Sequence, residues 1–233
     1  MHMVYGFDVI SDLNLTSTDN FDWEGKPTSL FCIVAGNVSN DIVVLHKTLK
    51  HLSGLYHGVF FIDGTLENQG ILDRDARSSD IARICGSFRN VVYLHNNVVV
   101  VDGIALLGLN GWSNKKIDFN ILDDFHLKCY RYDDISYLEK TLEKIQLHVD
   151  VKKIVIISSC VPLRELYFGE NDVNDEDIFP GYVLYKDTEH KVAKWIFGTY
   201  DKFVDTTINN INYVNNAKYD TEPYFAKRVE IIL

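Results

Sequence analysis

The sequence predicts a single α/β domain, mostly parallel in its first half and richer in β-structure afterwards. Three observations carry that reading. Five apolar runs each break into small polar residues: VYGFDVISDLNL (4–15), LFCIVAGNVSN (30–40), GVFFIDGTLEN (58–68), VKKIVIISSCVPL (151–163) and KWIFGTYD (194–201). Helix-period stretches separate the early runs, a β-α-β-α rhythm that implies parallel pairing. The middle and the end of the chain are dense in short β runs with turn dipeptides between them. Continuous apolar strands that end in polar side chains place ligands at the carboxyl edge of an α/β sheet, so five strand ends are aimed at one place.

Taken in order, the first run ends at Asp12-Leu13-Asn14. Thr16–Ser29 follows as a loop rich in turn formers. The second run, Leu30–Ala35, ends at Gly36-Asn37, and Ser39-Asn40-Asp41 caps a helix with Ile42, Leu45, Leu49 and Leu52 on one face. The third, His57–Ile62, breaks at Asp63-Gly64-Thr65. Ser78-Ser79-Asp80 then caps a helix whose inner face carries Ile81, Ile84, Cys85 and Phe88. Val91–Leu94, Val98–Val101 and Ile104–Leu109 read as β runs joined by Asn96-Asn97 and Asp102-Gly103, both hairpin signals. Asp133-Asp134 caps a third helix with Ile135, Leu138, Leu142, Ile145 and Val149 on its apolar side. The fourth site strand, Lys153–Ile157, ends in Ser158-Ser159-Cys160, and the acidic stretch Glu165–Asp177 reads as an irregular loop. Tyr182–Tyr185, Lys194–Phe197, Phe203–Ile208, Ile211–Val214 and Arg228–Ile232 read as strands, with a tight reversal at Asn209-Asn210.

Composition narrows the function classes. The 233 residues, 46% of them hydrophobic and 24% charged, suffice for one large core. A net charge of −10 without clustered Lys and Arg argues against nucleic acid as a partner. Cys32, Cys85, Cys129 and Cys160 lie far apart with no CxxC pair, which predicts free thiols in a reducing, cytoplasmic setting. Cys160, beside Ser159, has no neighbouring base and reads as a buried thiol. No apolar stretch approaches 18 residues, so no membrane segment is expected. The eight histidines are scattered without ligand spacing.

The ordered set SDLNL, VAGNVSN, DGTLEN, ISSCVP and FGTYD resembles the motifs of the calcineurin-like metallophosphoesterases: DxH, GD, GNH(E/D), a lone His and GHxH, each at a strand end. NNAKY (215–219) stands where that family often carries an Asn-Pro-Arg-Gly-Tyr-like run, and the likeness is nearest to its small bacterial and phage members. The resemblance implies two packed sheets flanked by helices. It also implies a first metal site at Asp12, Asn14, Asn37 and Asp201, and a second at Asn37, Thr65, Ser159 and Thr199. The family's catalytic His falls on Leu66, and the acidic residue after it survives as Glu67.

These substitutions predict a disabled centre. Two-metal hydrolysis needs a cation pair about 3.5–4 Å apart, held by a bridging carboxylate. Asn37 is neutral, and the hydroxyls of Thr65, Ser159 and Thr199 are poor ligands for Mn, Fe or Zn. Leu66 cannot move a proton. Asp12, Asn14, Asn37 and Asp201 leave at most an all-oxygen set for one weakly bound Ca²⁺ or Mg²⁺, with Asp12 and Asp201 as the charged ligands. Asp12 serving only its own turn, with no metal, is the structural alternative. The expected function is therefore that of a pseudoenzyme with a binding or structural role and a protein partner, with a virion component among its settings. The alternative is a divergent, active phosphodiesterase or phosphatase working through a single hard cation. An inactive regulatory partner of an active homologue is a third possibility.

Overall fold

The computed structural model describes residues 3–19, 21, 26–71, 73–112, 121–167, 178–218 and 224–233, without the side chains of 121–125. The first sheet has the order β11-β1-β2-β3-β4, formed by Lys227–Ile232, Val4–Ile10, Phe31–Ala35, Gly58–Ile62 and Val91–Tyr93. Within it β1 to β4 run parallel and β11 is antiparallel to β1. The second sheet has the order β5-β6-β7-β8-β10-β9, formed by Asn97–Val101, Ile104–Leu109, Lys153–Ser158, Val192–Phe197, Ile211–Asn215 and Val204–Ile208. Its four inner strands run parallel, and β5 and β9 are antiparallel edges.

The apolar runs are continuous because both faces of each strand are covered. In β2, Ile33 and Ala35 point into the space between the sheets, while Cys32 and Val34 point to the helices α1 (Ile42–Leu55) and α2 (Arg74–Gly86). In β7, Val155 and Ile157 face the first sheet, and Ile154 and Ile156 face α3 (Ile121–Ile145). Phe7, Phe60, Leu106 and Ile196 complete the inter-sheet core. The result is four layers, helix, sheet, sheet, helix, with both sets of parallel strands ending on one side.

Helix α1 starts where the sequence says, with Asp41 accepting the N–H groups of Val43 and Val44 at 2.8 and 3.3 Å. Four elements differ from expectation. Helix α2 begins earlier, because Asp73 accepts the Ala76 N–H at 2.9 Å, and Ser78-Ser79-Asp80 lie inside it. Asp133-Asp134 sit in mid-helix, since the Asp134 carboxylate is turned inward onto other loops instead of capping, and Val149, beyond the helix, is 77% exposed. Asn96-Asn97 makes no hairpin: Leu94 donates its N–H to Phe61 O, keeping β4 in the first sheet, and the chain then crosses to β5 in the second. Tyr182–Tyr185 lie in a 3₁₀ turn, Gly181–Lys186, because β7 and β8 pair directly and leave no slot for a strand. Of the acidic stretch, residues 168–177 lie outside the described residues, as does Tyr219 of NNAKY.

Candidate functional site

The turns after β1, β2, β3, β7 and β8 meet. Asn37 stands at the centre, donating from Nδ2 to Asp12 Oδ1 at 2.7 Å and to Thr199 Oγ1 at 2.9 Å. Its Oδ1 accepts the Leu66 N–H at 2.9 Å and the Thr65 hydroxyl at 3.4 Å. The Leu66 N–H fixes the orientation of the amide: the oxygen must face it, so the NH₂ must face Asp12. Ser159 Oγ joins through Thr199 Oγ1 at 3.0 Å. The Asp12 carboxylate also accepts the Thr199 N–H at 2.8 Å and Asn215 Nδ2 at 3.1 Å. Thus Asp12, Asn37, Thr65, Ser159 and Thr199 form one buried cluster. Asn14 is exposed, with its amide turned back onto the Asp12 carbonyl at 2.9 Å, and Asp201 is exposed two residues past Thr199.

Backbone geometry marks the same place. Asp12, Asn37 and Thr199 have φ of 52°, 56° and 58°. Asp and Asn tolerate the left-handed region, but a β-branched Thr there is strained by about 1–2 kcal/mol. At Thr199 the strain is held by the N–H bond to Asp12. Two glycines permit the approach: a Cβ on Gly64 would lie 2.3 Å from Asn37 Oδ1, and one on Gly198 would lie 2.3 Å from Ala35 O.

Glu67 is the organiser that the motif reading underused. Buried, it accepts the N–H groups of Asn37 and Gly64 on Oε2 at 3.0 and 2.7 Å, and those of Val38 and Ser39 on Oε1 at 2.5 and 3.1 Å. Burial pushes its carboxyl up to about 7, while the N–H donors pull the other way.

A second polar group, which sequence reasoning missed, adjoins the first. Asp63 accepts Tyr93 Oη at 2.8 Å, His95 Nδ1 at 3.1 Å and Asn68 Nδ2 at 2.8 Å. Asn110 donates to the Asp63 carbonyl at 3.1 Å, and its own carbonyl accepts the Ser159 N–H at 2.9 Å, linking the two groups. Asp134 holds Gly111 N and Asn96 Nδ2, both at 2.7 Å. Beyond Gly111, buried Trp112 lies under the Arg74 guanidinium at 4.9 Å.

Burial opposes ionisation of both members of the His95–Asp63 pair. For His95 the Asp63 bond and charge, then the charges of Asp134 and Asp75, outweigh it and lift the imidazole from 6.5 to about 9. For Asp63 the His95 bond and charge and the Asn68 and Tyr93 bonds hold the carboxyl below 3.8. A raised His contributes stability that is complete below about 6.5 and lost as pH rises through 9; a lowered Asp contributes above 3.8 and loses it on acidification. The stability difference between wild type and His95→Asn, read by urea unfolding, should therefore be largest near pH 5–6 and shrink by about 3 kcal/mol by pH 10. A difference that stays flat over that range would show that His95 is not charged in the folded protein.

A two-cation phosphoesterase centre would suit this strand-end position, but the donor set does not fit one. The cluster offers one carboxylate, three hydroxyls and an amide whose NH₂ faces that carboxylate, and among the described residues no three His, Cys, Asp or Glu side chains come together in a metal-binding group. Cys160 is buried and in no disulfide. No described helix is long and apolar enough to cross a membrane.

No protein-family model matches the sequence. One relative, a protein of Acanthamoeba polyphaga mimivirus described as uncharacterized, is 22% identical, with 81% of this chain and 82% of that protein covered. Among solved structures, the phosphopantetheinyl hydrolase of Mycobacterium tuberculosis superposes with a TM-score of 0.70 at 13% identity, over 96% of this chain and 95% of that one. A protein described as a 5′-nucleotidase of Staphylococcus aureus, in complex with α-ketoglutarate, gives a TM-score of 0.58 at 13% identity, over 98% of this chain and 51% of that one.

Proposed function

We propose that this calcineurin-like phosphoesterase fold serves a binding or structural role with a protein partner, without hydrolysing phosphoesters. The observation that carries the proposal is the Asn37 amide, whose NH₂ lies between Asp12 and Thr199. A hydrogen-bond donor stands where the family resemblance calls for a bridging anion, and it occupies by hydrogen bonding an oxygen of a carboxylate that would otherwise face a cation. Leu66 adds no proton-transfer group in place of the family's His. The mimivirus relative supports a viral setting for such a protein, though it is not a phage protein.

The test is metal content and Mn²⁺-dependent hydrolysis of bis-p-nitrophenyl phosphate, with Asp12→Ala as the control. The expected result is a wild-type rate no higher than that of the variant. A metal-dependent rate that Asp12→Ala abolishes would overturn the proposal. A calorimetric heat with millimolar Ca²⁺ or Mg²⁺, lost in Asp12→Ala, would support the other reading, one hard cation at Asp12 and Asp201.

A further inference from the structure

At the end of the second sheet opposite the strand-end cluster lies a groove of about 1050 Å³. Lys153, at the start of β7, lines it, whereas Ser158 at the other end of that strand adjoins the cluster, a separation of roughly 17 Å along the strand. One wall is the 3₁₀ turn Gly181–Lys186, in which side chains three apart eclipse. Tyr182 and Tyr185 therefore project on one face, roughly 6 Å apart, and are 65% and 61% exposed. The β9–β10 reversal, Asn209-Asn210, with φ of 50° and 65°, lines the same groove. The tight turn accounts for those backbones but not for the side chains, which are exposed and make no hydrogen bond among the described residues.

The groove is lined by one acid, Asp187, and one lysine, Lys153. The Asp187 carboxylate is turned away onto the Lys191 and Val192 N–H groups at 2.9 and 2.8 Å. The Lys153 ammonium has no ion pair or hydrogen bond among the described residues, although the protein carries a net charge of −10. Two exposed tyrosine rings, one of them (Tyr185) with the Lys186 ammonium over one face at 4.9 Å and its hydroxyl donating to Glu139, together with two open amides and the Lys153 cation, are complementary to a flat, hydrogen-bonding ring that carries an anion. Aromatic side chains stack on nucleobases whatever the base, amides pair with base edges, and an ammonium meets phosphate as a point charge.

We infer that this groove is a nucleotide-binding site, with Tyr182 and Tyr185 stacking the base, Asn209 and Asn210 meeting its edge, and Lys153 meeting the phosphate. The inference stands apart from the strand-end cluster and survives whichever way hydrolysis is decided there.

The test is isothermal titration of the full chain with AMP, adenosine and inorganic phosphate. AMP should bind, adenosine should bind about tenfold more weakly, and phosphate alone should give no measurable heat. Tyr182→Ala should weaken AMP by at least about fivefold, the lower end of one base's stacking. Lys153→Gln should bring AMP down to the level of adenosine. Both side chains sit at the surface of the groove, and circular dichroism verifies that each variant is folded. Absence of AMP binding up to about 5 mM, or AMP binding that neither substitution changes, would overturn the inference.

Discussion

Replacing Glu67 by Gln should cost about 4 kcal/mol of folding stability at pH 8, one of the largest losses expected from exchanging a single heavy atom in this chain. The carboxylate is the common acceptor for N–H groups from two different turns, Asn37–Ser39 after β2 and Gly64 after β3. Gln offers one acceptor oxygen and sets an NH₂ against the remaining N–H groups. Two buried backbone donors then lose their acceptor, at about 1–3 kcal/mol each. Urea unfolding at pH 8, where the carboxylate is the charged form, measures the loss. Glu189→Gln, at an exposed position, is the control and should change stability by less than about 0.5 kcal/mol. A Glu67→Gln loss under about 1 kcal/mol would mean that the two turns hold their shape without this anchor.

Asp12→Ala should cost about 3–5 kcal/mol in the presence of EDTA. The substitution leaves the buried Thr199 N–H without its acceptor and takes one of two hydrogen bonds from each of the buried Asn37 and Asn215 amides. It also removes the bond that holds Thr199 in its strained backbone conformation. The sign of this result is informative. A carboxylate kept for a cation is an uncompensated negative charge once the cation is chelated, and its removal then leaves stability unchanged or raises it. Unchanged or increased stability in EDTA would therefore count against the hydrogen-bonded reading of the cluster and in favour of a metal role.

The strand ends were legible because a strand buried on both faces leaves an unbroken apolar run, and the break to small polar residues shows where it stops. Asp12, Asn37, Thr65, Ser159 and Thr199 all sit just past such breaks, and all five meet. The His95–Asp63 pair obeys the same rule, since His95 lies just past β4. It was hidden because Asn96-Asn97 resembles a hairpin turn, which would have kept β4 and β5 in one sheet. Asp134 was misplaced for a related reason: two adjacent acids ahead of an apolar stripe have the signature of a cap, and only Gly111 and Asn96, both remote in sequence, turn one of them inward. Tyr182–Tyr185 form a short aromatic and aliphatic run with strand composition, but their burial runs exposed, buried, half-buried, exposed, the i, i+3 repeat of a 3₁₀ turn. Local pattern cannot separate these cases, because the deciding partners lie elsewhere in the chain.

The pairing of β1 with β11, in which Val4 stands opposite Ile232, has a consequence for the birth of the protein. Within this sequence β1 precedes, and its outer neighbour β11 follows, every other described strand. Until β11 is made, β1 presents an open row of backbone donors and acceptors with its apolar side chains still seeking cover. The first sheet is thus sealed last, by its most distant contact, and folding of this chain during synthesis is a race between that closure and pairing with a neighbouring nascent chain.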